Sequence, residues 1–281
     1  MDMKERICVV TGASSGIGRV TALELARKGA TVVLVCRNRS KGETTLAEIT
    51  SATGNRSVHL ICGDLSSQNE IRQVVKTFKE RFGELHVLVN NAGVLMFERK
   101  TTADGLEMTF GLNHMGYFLL TNLLLGLIEK SAPSRIVNVA SGMHFYARSI
   151  PDDIQNPAHY SPLTAYANSK LANVMFTYEL ARRLEGKEVT VNCLHPGGVR
   201  TGFYNDATGM IRAYFSLFGW TMRSPEKGAE TVVYLAADQA VRGITAKYFK
   251  DMKTARSSKA SYDSEASRRL WELSERLIVI K

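Results

Sequence analysis

The chain has 281 residues, 44% of them apolar and 22% charged, which suits one soluble globular domain with a sizeable core and excludes wholesale disorder. Net charge is +9, and residues 242–281 carry ten Lys and Arg against five Asp and Glu. No zinc-finger, RNA-recognition or basic-zipper pattern accompanies that charge, so nucleic acid is not the expected partner. The four cysteines, Cys8, Cys36, Cys62 and Cys193, form no C-x-x-C pair and join no histidine cluster, so they read as small buried hydrophobes and no metal site is expected.

In chain order, the first strand-like run, Ile7-Cys8-Val9-Val10, follows closely on Met1, and no signal sequence or membrane anchor is expected ahead of it. It leads into Thr11-Gly12-Ala13-Ser14-Ser15-Gly16-Ile17-Gly18. Glycines at this spacing, between a strand and a helix, let the backbone approach a pyrophosphate at the helix N-terminus, which makes Gly12, Ser14, Ser15, Gly16, Ile17 and Gly18 candidate dinucleotide contacts. The second run, residues 31–35, ends at Cys36-Arg37. An acidic residue there would hold a ribose 2′-hydroxyl and repel a 2′-phosphate. Arg37, with Arg39 and Lys41 close behind, is instead suited to pair with a phosphate, which favours NADP over NAD. Runs at 58–62 and 85–90 follow, the latter closing on Asn90-Asn91-Ala92-Gly93, whose small residues let the backbone lie along a ribose while the amides hold the sheet in register.

Tyr117 to Ile128 is the longest apolar stretch; interrupted by Thr121, Asn122 and Gly126, it reads as a core helix rather than a membrane span. Further strand-like runs occupy 135–140 and 189–194. Between them a helix over Thr164 to Glu185 puts Leu171, Val174, Tyr178 and Ala181 on one core stripe and ends near Gly186. A last strand near Ile244 to Phe249 would complete seven, and Arg268 to Leu277 reads as a terminal helix. The alternation predicts an α/β fold, a doubly wound parallel sheet of Rossmann type, as a single domain over 1–281. The aromatic segment Phe203 to Met222 is expected to be a small apolar substrate lid.

Tyr166 and Lys170 stand one helical turn apart and share a face. A nearby ammonium favours the phenolate and draws a tyrosine, ordinarily near ~10, toward working pH.

Taken together and in this order, the glycine turn, Asn90-Asn91-Ala92-Gly93, Asn113, Ser141, Tyr166 and Lys170 resemble the short-chain dehydrogenase/reductase family, over residues 6 to about 250. The resemblance implies hydride transfer between a nicotinamide and a carbonyl carbon. Tyr166 would donate or accept the proton, Lys170 would lower the Tyr166 pKa and hold the ribose hydroxyls, Ser141 would hydrogen-bond the carbonyl oxygen, and Asn113 would position a water. It further implies that Asp64 and Leu65 contact adenine, although Asp64 also reads as a helix N-cap. Asn91, Ala92 and Gly93 would line the ribose, and Pro196, Gly197, Val199 and Thr201 the nicotinamide. His195 is assigned a packing role.

Twenty-five positions separate Ser141 from Tyr166, more than many relatives show. With Asn113-His114-Met115-Gly116, Ser169-Lys170-Leu171-Ala172-Asn173 and Arg268-Arg269-Leu270-Trp271, this resembles the retinol dehydrogenase branch. That implies an NADP-dependent enzyme of lipophilic aldehydes, ketones and alcohols, expected in the cytoplasm, with peripheral membrane contact and a homo-oligomer both open. The alternatives are a broad carbonyl or steroid reductase, a protochlorophyllide reductase-like enzyme, and a catalytically silent dinucleotide-binding sensor or scaffold.

Overall fold

The computed structural model describes residues 3–150, 154, 160–200 and 222–278. Eight strands form one sheet: β1 (Ile7–Thr11), β2 (Thr31–Cys36), β3 (Val58–Cys62), β4 (Val87–Asn90), β5 (Ser134–Val139), β6 (Val189–His195), β7 (Lys247–Lys250) and β8 (Lys253–Ala255). Their order is β3-β2-β1-β4-β5-β6-β7-β8, parallel throughout except for the β7–β8 pair. The chain starts at β1, winds outward to β3 and returns to β4 on the other side of β1. That reversal opens a crevice beyond the C-terminal strand ends, where an open α/β sheet receives its ligand.

Alternate side chains of each strand enter opposite cores. Cys8, Val10, Val32 and Leu34 pack with Leu25 of α1 (Gly16–Arg27), Ile49 of α2 (Arg39–Thr53) and Val232 of α6 (Pro225–Ala237). Val9, Val33 and Val35 face the other way, toward Ile71 of α3 (Gln68–Arg81), Phe118 of α4 (Met108–Lys130) and Phe176 of α5 (Pro162–Arg183). Burial on both faces explains why the strands read as nearly continuous apolar runs. The stretch from Tyr117 to Ile128 lies within α4. That helix is long and apolar enough to cross a membrane by length and composition, yet 67% of its most apolar window is buried inside the fold.

A buried polar chain fixes the middle of the sheet. Asn90 and Asn138 face each other across β4 and β5, and the Asn90 amide donates to Asn138 Oδ1 and to Thr121 Oγ1, both at 2.9 Å. Asn138 in turn donates to Thr177 Oγ1 at 2.9 Å. Thr121 and Thr177 belong to α4 and α5, so slipping either strand by one residue would strand these amides in the core.

The structure differs from the expected seven strands by the edge strand β8. Asp251 and Met252 connect β7 to β8 with φ of 52° and 59°. Hairpin turns of this left-handed kind normally announce themselves with Asn-Gly or Asp-Gly, and neither is present. The long helix begins at Pro162, its first turn capped by Ser161, which accepts from the Thr164 N–H, and it ends at Arg183, before the Gly186 turn. The terminal helix α7 (Ser264–Arg276) also starts earlier than its apolar pattern suggested, because Asp263 caps it. α7 lies against α5, and Trp271 contacts Phe118 and Phe176 at ring distances of 4.8 and 5.8 Å. Thr201 and the aromatic segment expected as a lid, apart from Met222, lie outside the described residues.

Candidate active site

The turn after β1 is shaped by absent side chains. Gly12 and Gly16 hold φ of 64° and 53°, and a Cβ on Gly12 would sit 3.0 Å from the Ala92 Cα. A Cβ on Gly18 would lie 2.3 Å from the Gly12 carbonyl, so α1 can press against β1 only with glycine there. The α1 N-cap, Ser15, makes no side-chain capping bond, and the first turn holds no acidic residue. The starts of α2, α3, α5, α6 and α7 are all capped, by Asn38, Ser67, Ser161, Ser224 and Asp263. Among the described residues, the first turn of α1 therefore keeps N–H groups without a side-chain acceptor, a chemistry that fits an anionic pyrophosphate. Ile17 packs toward Gly228 of α6, where a Cβ would come 3.2 Å from it.

Thr11 joins this turn to the segment after β4. Its hydroxyl accepts from the N–H groups of Asn91 at 2.8 Å and Ala92 at 3.0 Å, while the Asn91 amide donates to the Thr11 carbonyl at 2.8 Å. At the far end of the crevice, Arg37 Nη1 pairs with Asp64 Oδ2 at 3.3 Å; the arginine side chain is 76% exposed and the aspartate side chain 23%. Asp64 does not cap α3, a task taken by Ser67. It instead accepts from the N–H and hydroxyl of Ser66 at 2.9 and 2.7 Å. Burial raises its carboxyl pKa, but the Ser66 and Arg37 hydrogen bonds outweigh that and hold it below the usual aspartate value. Leu65 is buried beside the Gly116 turn of α4.

The start of α5 brings Tyr166 and Lys170 together. Lys170 is 3% exposed, its Nζ donates to the Val139 carbonyl at 3.1 Å, and it lies 5.6 Å from the centre of the Tyr166 ring. Burial pushes its ammonium down to about 7. A Cβ on Gly93 would come 3.6 Å from Lys170 Nζ and 3.2 Å from Asn113 Oδ1, so glycine keeps this corner open. Asn113 sits in a π turn, Gly111–Met115, that widens α4 as it passes the site. Its side chain is largely engaged by protein. Oδ1 accepts from the Val94 N–H at 2.7 Å, and Nδ2 donates to the Val94 carbonyl at 2.9 Å and Ser169 Oγ at 3.0 Å. One Oδ1 lone pair is left over from these bonds.

Ser141 follows β5 in extended conformation and starts a short 3-10 turn, Gly142–Tyr146, with its hydroxyl accepting from the Met143 N–H at 3.1 Å. Two histidines stand beside it, one from the same turn and one from the end of β6. His144 Nδ1 lies 2.6 Å from the Ser141 carbonyl, and His195 Nδ1 accepts the Gly142 N–H at 2.9 Å. His144 reaches back three residues within its own turn, whereas His195 meets Gly142, 53 positions earlier, only through folding, and no local pattern marks that contact. The segment after His195 is braced as well. Val199 pairs with Arg223 as an isolated bridge, a Cβ on Gly197 (φ 91°) would meet the Arg223 side chain at 2.6 Å, and Arg223 forms an ion pair with Asp251. Pro196 and Gly197 are half-buried and Val199 is buried against α6.

The sequence matches the family model for short chain dehydrogenases over residues 6–210. It is 43% identical to human retinol dehydrogenase 11 over 269 residues, covering 96% of this chain and 84% of that protein. It is 41% identical to human polyprenol dehydrogenase over 277 residues, covering 96% and 84%. Among solved structures, an uncharacterized protein from Mycobacterium paratuberculosis superposes with a TM-score of 0.77 at 31% identity, covering 98% of this chain and 94% of that one. A short chain dehydrogenase from Shigella flexneri complexed with NADP gives 0.72 at 27% identity, covering 90% and 99%. With nearly its whole length matched at this level, the chain belongs to the short-chain dehydrogenase family, in the retinol dehydrogenase branch, and is an oxidoreductase.

Proposed function

We propose that the protein is an NADP-dependent oxidoreductase that interconverts a lipophilic aldehyde or ketone and its alcohol. The observation that carries this reading is the buried Lys170 beside Tyr166, at the corner kept open by Gly93 and bordered by Asn113. A bound nicotinamide dinucleotide supplies or accepts the hydride. Tyr166 moves the proton at the substrate oxygen, and Ser141 donates a hydrogen bond to the same oxygen. Lys170 spends one N–H on Val139 and has two left, among the described residues, for ribose hydroxyls and for biasing Tyr166 toward phenolate. Asn113 holds the turn that carries Val94 and offers its remaining lone pair to a water. The α1 turn, with Asn91, Ala92 and Gly93, would hold the pyrophosphate and ribose; Asp64 and Leu65 would hold adenine; Pro196, Gly197, Val199 and Thr201 would hold the carboxamide end.

Arg37 supports the phosphorylated cofactor. Its pairing with Asp64 is exposed and weak enough for a 2′-phosphate to recruit the guanidinium. The solved relative from Shigella flexneri carries NADP. A lipophilic substrate is supported by the surface around the reacting residues, where Phe145 and Tyr146 beyond Ser141 and Leu163 ahead of Tyr166 are 54%, 77% and 59% exposed. Relatives are named for retinol and polyprenol, two lipophilic alcohols. The same apolar rim and the net positive charge suit a cytoplasmic protein in peripheral contact with lipid, where such substrates partition.

The test is oxidation of NADPH and NADH by purified protein against all-trans-retinal, a medium-chain aldehyde, a ketosteroid and a small aromatic aldehyde. Turnover with NADPH and retinal or the long aldehyde is expected, and Tyr166→Phe should reduce kcat by about 10²–10⁴-fold while leaving NADPH binding intact. Turnover confined to the ketosteroid or the aromatic aldehyde would replace the lipophilic assignment with a broad carbonyl or steroid reductase. Full activity of Tyr166→Phe would overturn the proton-transfer role.

A further inference from the structure

One peptide unit beside the site is held on both sides by histidines, His144 fully buried and His195 half-buried. The carbonyl between Ser141 and Gly142 receives His144 Nδ1 at 2.6 Å, and the N–H of the same unit donates to His195 Nδ1 at 2.9 Å. His144 is fully buried, and its second nitrogen, Nε2, accepts from the Ser258 N–H at 3.0 Å. A nitrogen that accepts from a backbone N–H carries no proton, so the neutral His144 ring must carry its hydrogen on Nδ1 and donate it to the Ser141 carbonyl. The same reasoning applied to His195 leaves Nδ1 bare and puts the hydrogen on Nε2. A Cβ on Gly142 would lie 3.2 Å from the His195 ring, so the ring lies flush against the peptide it holds.

We propose that His144 and His195, neutral and in opposite tautomers, are positioning residues that lock the Ser141–Gly142 peptide and so aim the Ser141 hydroxyl at the substrate oxygen. This rests on the reading of Ser141 given above. His144 also ties that peptide to the C-terminal segment, where Ser257 Oγ meets Tyr178 and Ser261, each at 2.7 Å. The peptide is therefore tied, through His144, to Ser258, 114 positions beyond that histidine.

Protonation would turn each accepting nitrogen into a donor facing another N–H, and both bonds would break. Burial pushes both rings below the ordinary histidine value, His195 to about 4. Around His195 stand Lys250, Arg223 and His144, which oppose its protonation, and Asp251, which favours it. Around His144 stand the rings of Phe145 and Tyr248, with the backbone of Ser141 and Ser258. The brace accordingly persists at neutral pH and fails in acid.

The tautomers are read directly from 15N shifts of histidine-labelled full-length protein, without reference to turnover. Hydrogen on Nδ1 of His144 and on Nε2 of His195 at pH 7 is expected, and the reverse assignment for either ring would overturn the brace. For position, His195→Leu should lower kcat about 10- to 100-fold, with the NADPH KM changed less than about twofold. His195→Asn, whose side-chain oxygen can replace the accepting nitrogen and does not titrate, should recover most of that loss and carry activity to lower pH. His195→Leu with the kcat and pH profile of the parent would sink the positioning role, whereas an active Tyr166→Phe would sink only the reading of the site and leave the tautomers standing.

Discussion

At the scale of single residues, Arg37 shows how a side chain suited to two partners acquires its role. Its place after β2 makes it the proposed partner of a cofactor 2′-phosphate, and folding places Asp64 3.3 Å away. An exposed pair of this kind contributes little, so it stores the guanidinium rather than removing it. Arg37→Asp should remove the phosphate partner and set two carboxylates side by side. The ratio of kcat/KM for NADPH over NADH should then fall about 10- to 100-fold, the worth of one charge-assisted hydrogen bond. An unchanged ratio would show that the 2′-phosphate is held elsewhere. Tyr166, Lys170, Asn113 and Ser141 could be singled out as candidates because each sits in a short motif, whereas the hydrogen bond between His195 and Gly142 joins residues 53 positions apart and leaves no local signature.

At the scale of elements, the apolar runs of β1 to β6 were legible, since burial on both faces leaves continuous apolar stretches, whereas the single stripe expected on α5 was not what folding made: Leu171, Val174 with Tyr178, and Ala181 enter three different clusters, because that helix is buried on nearly every side. β8 was not, because three exposed residues and a turn without glycine carry no periodic signal. The terminal helix was placed but its purpose was not. Trp271 packs against Phe118 and Phe176, its indole N–H donates to Glu275 at 2.7 Å, and the Arg183 guanidinium lies 4.0 Å above its ring. α7 thereby covers the outer side of α4 and α5, the helices that carry Asn113 and Tyr166. Trp271→Ala should cost about 3–5 kcal/mol in urea-induced unfolding, the usual loss for a large aromatic removed from a packed site. A loss below ~1 kcal/mol would mean that α7 is not an integral part of the fold.

At the scale of the whole molecule, the site is built at a cost in stability, and Lys170 makes that cost measurable. In the unfolded chain its ammonium titrates near 10.5, and in the fold near 7. Between those values the unfolded chain binds more protons, so the contribution of this group to stability rises as pH climbs from about 7 to 10.5; below about 7 the full penalty of a buried cation remains. Lys170→Met should raise the thermal midpoint at pH 6 by more than at pH 9, and abolish turnover. The opposite pH trend would contradict the burial argument. Acid stress should act through His144 and His195, whose lowered values make the fold less stable as pH falls below the ordinary histidine range. The sequence by itself determined the alternation of strands and helices, the glycine turn and the Tyr166–Lys170 pair, because apolar periodicity and i,i+4 spacing are local properties of a chain. Only the tertiary structure decided that Lys170 is dehydrated, that Asn90 and Asn138 share a hydrogen bond, and that one peptide beside Ser141 is gripped by two histidines. Burial and hydrogen-bond partnership depend on segments that meet only when the sheet has closed its order.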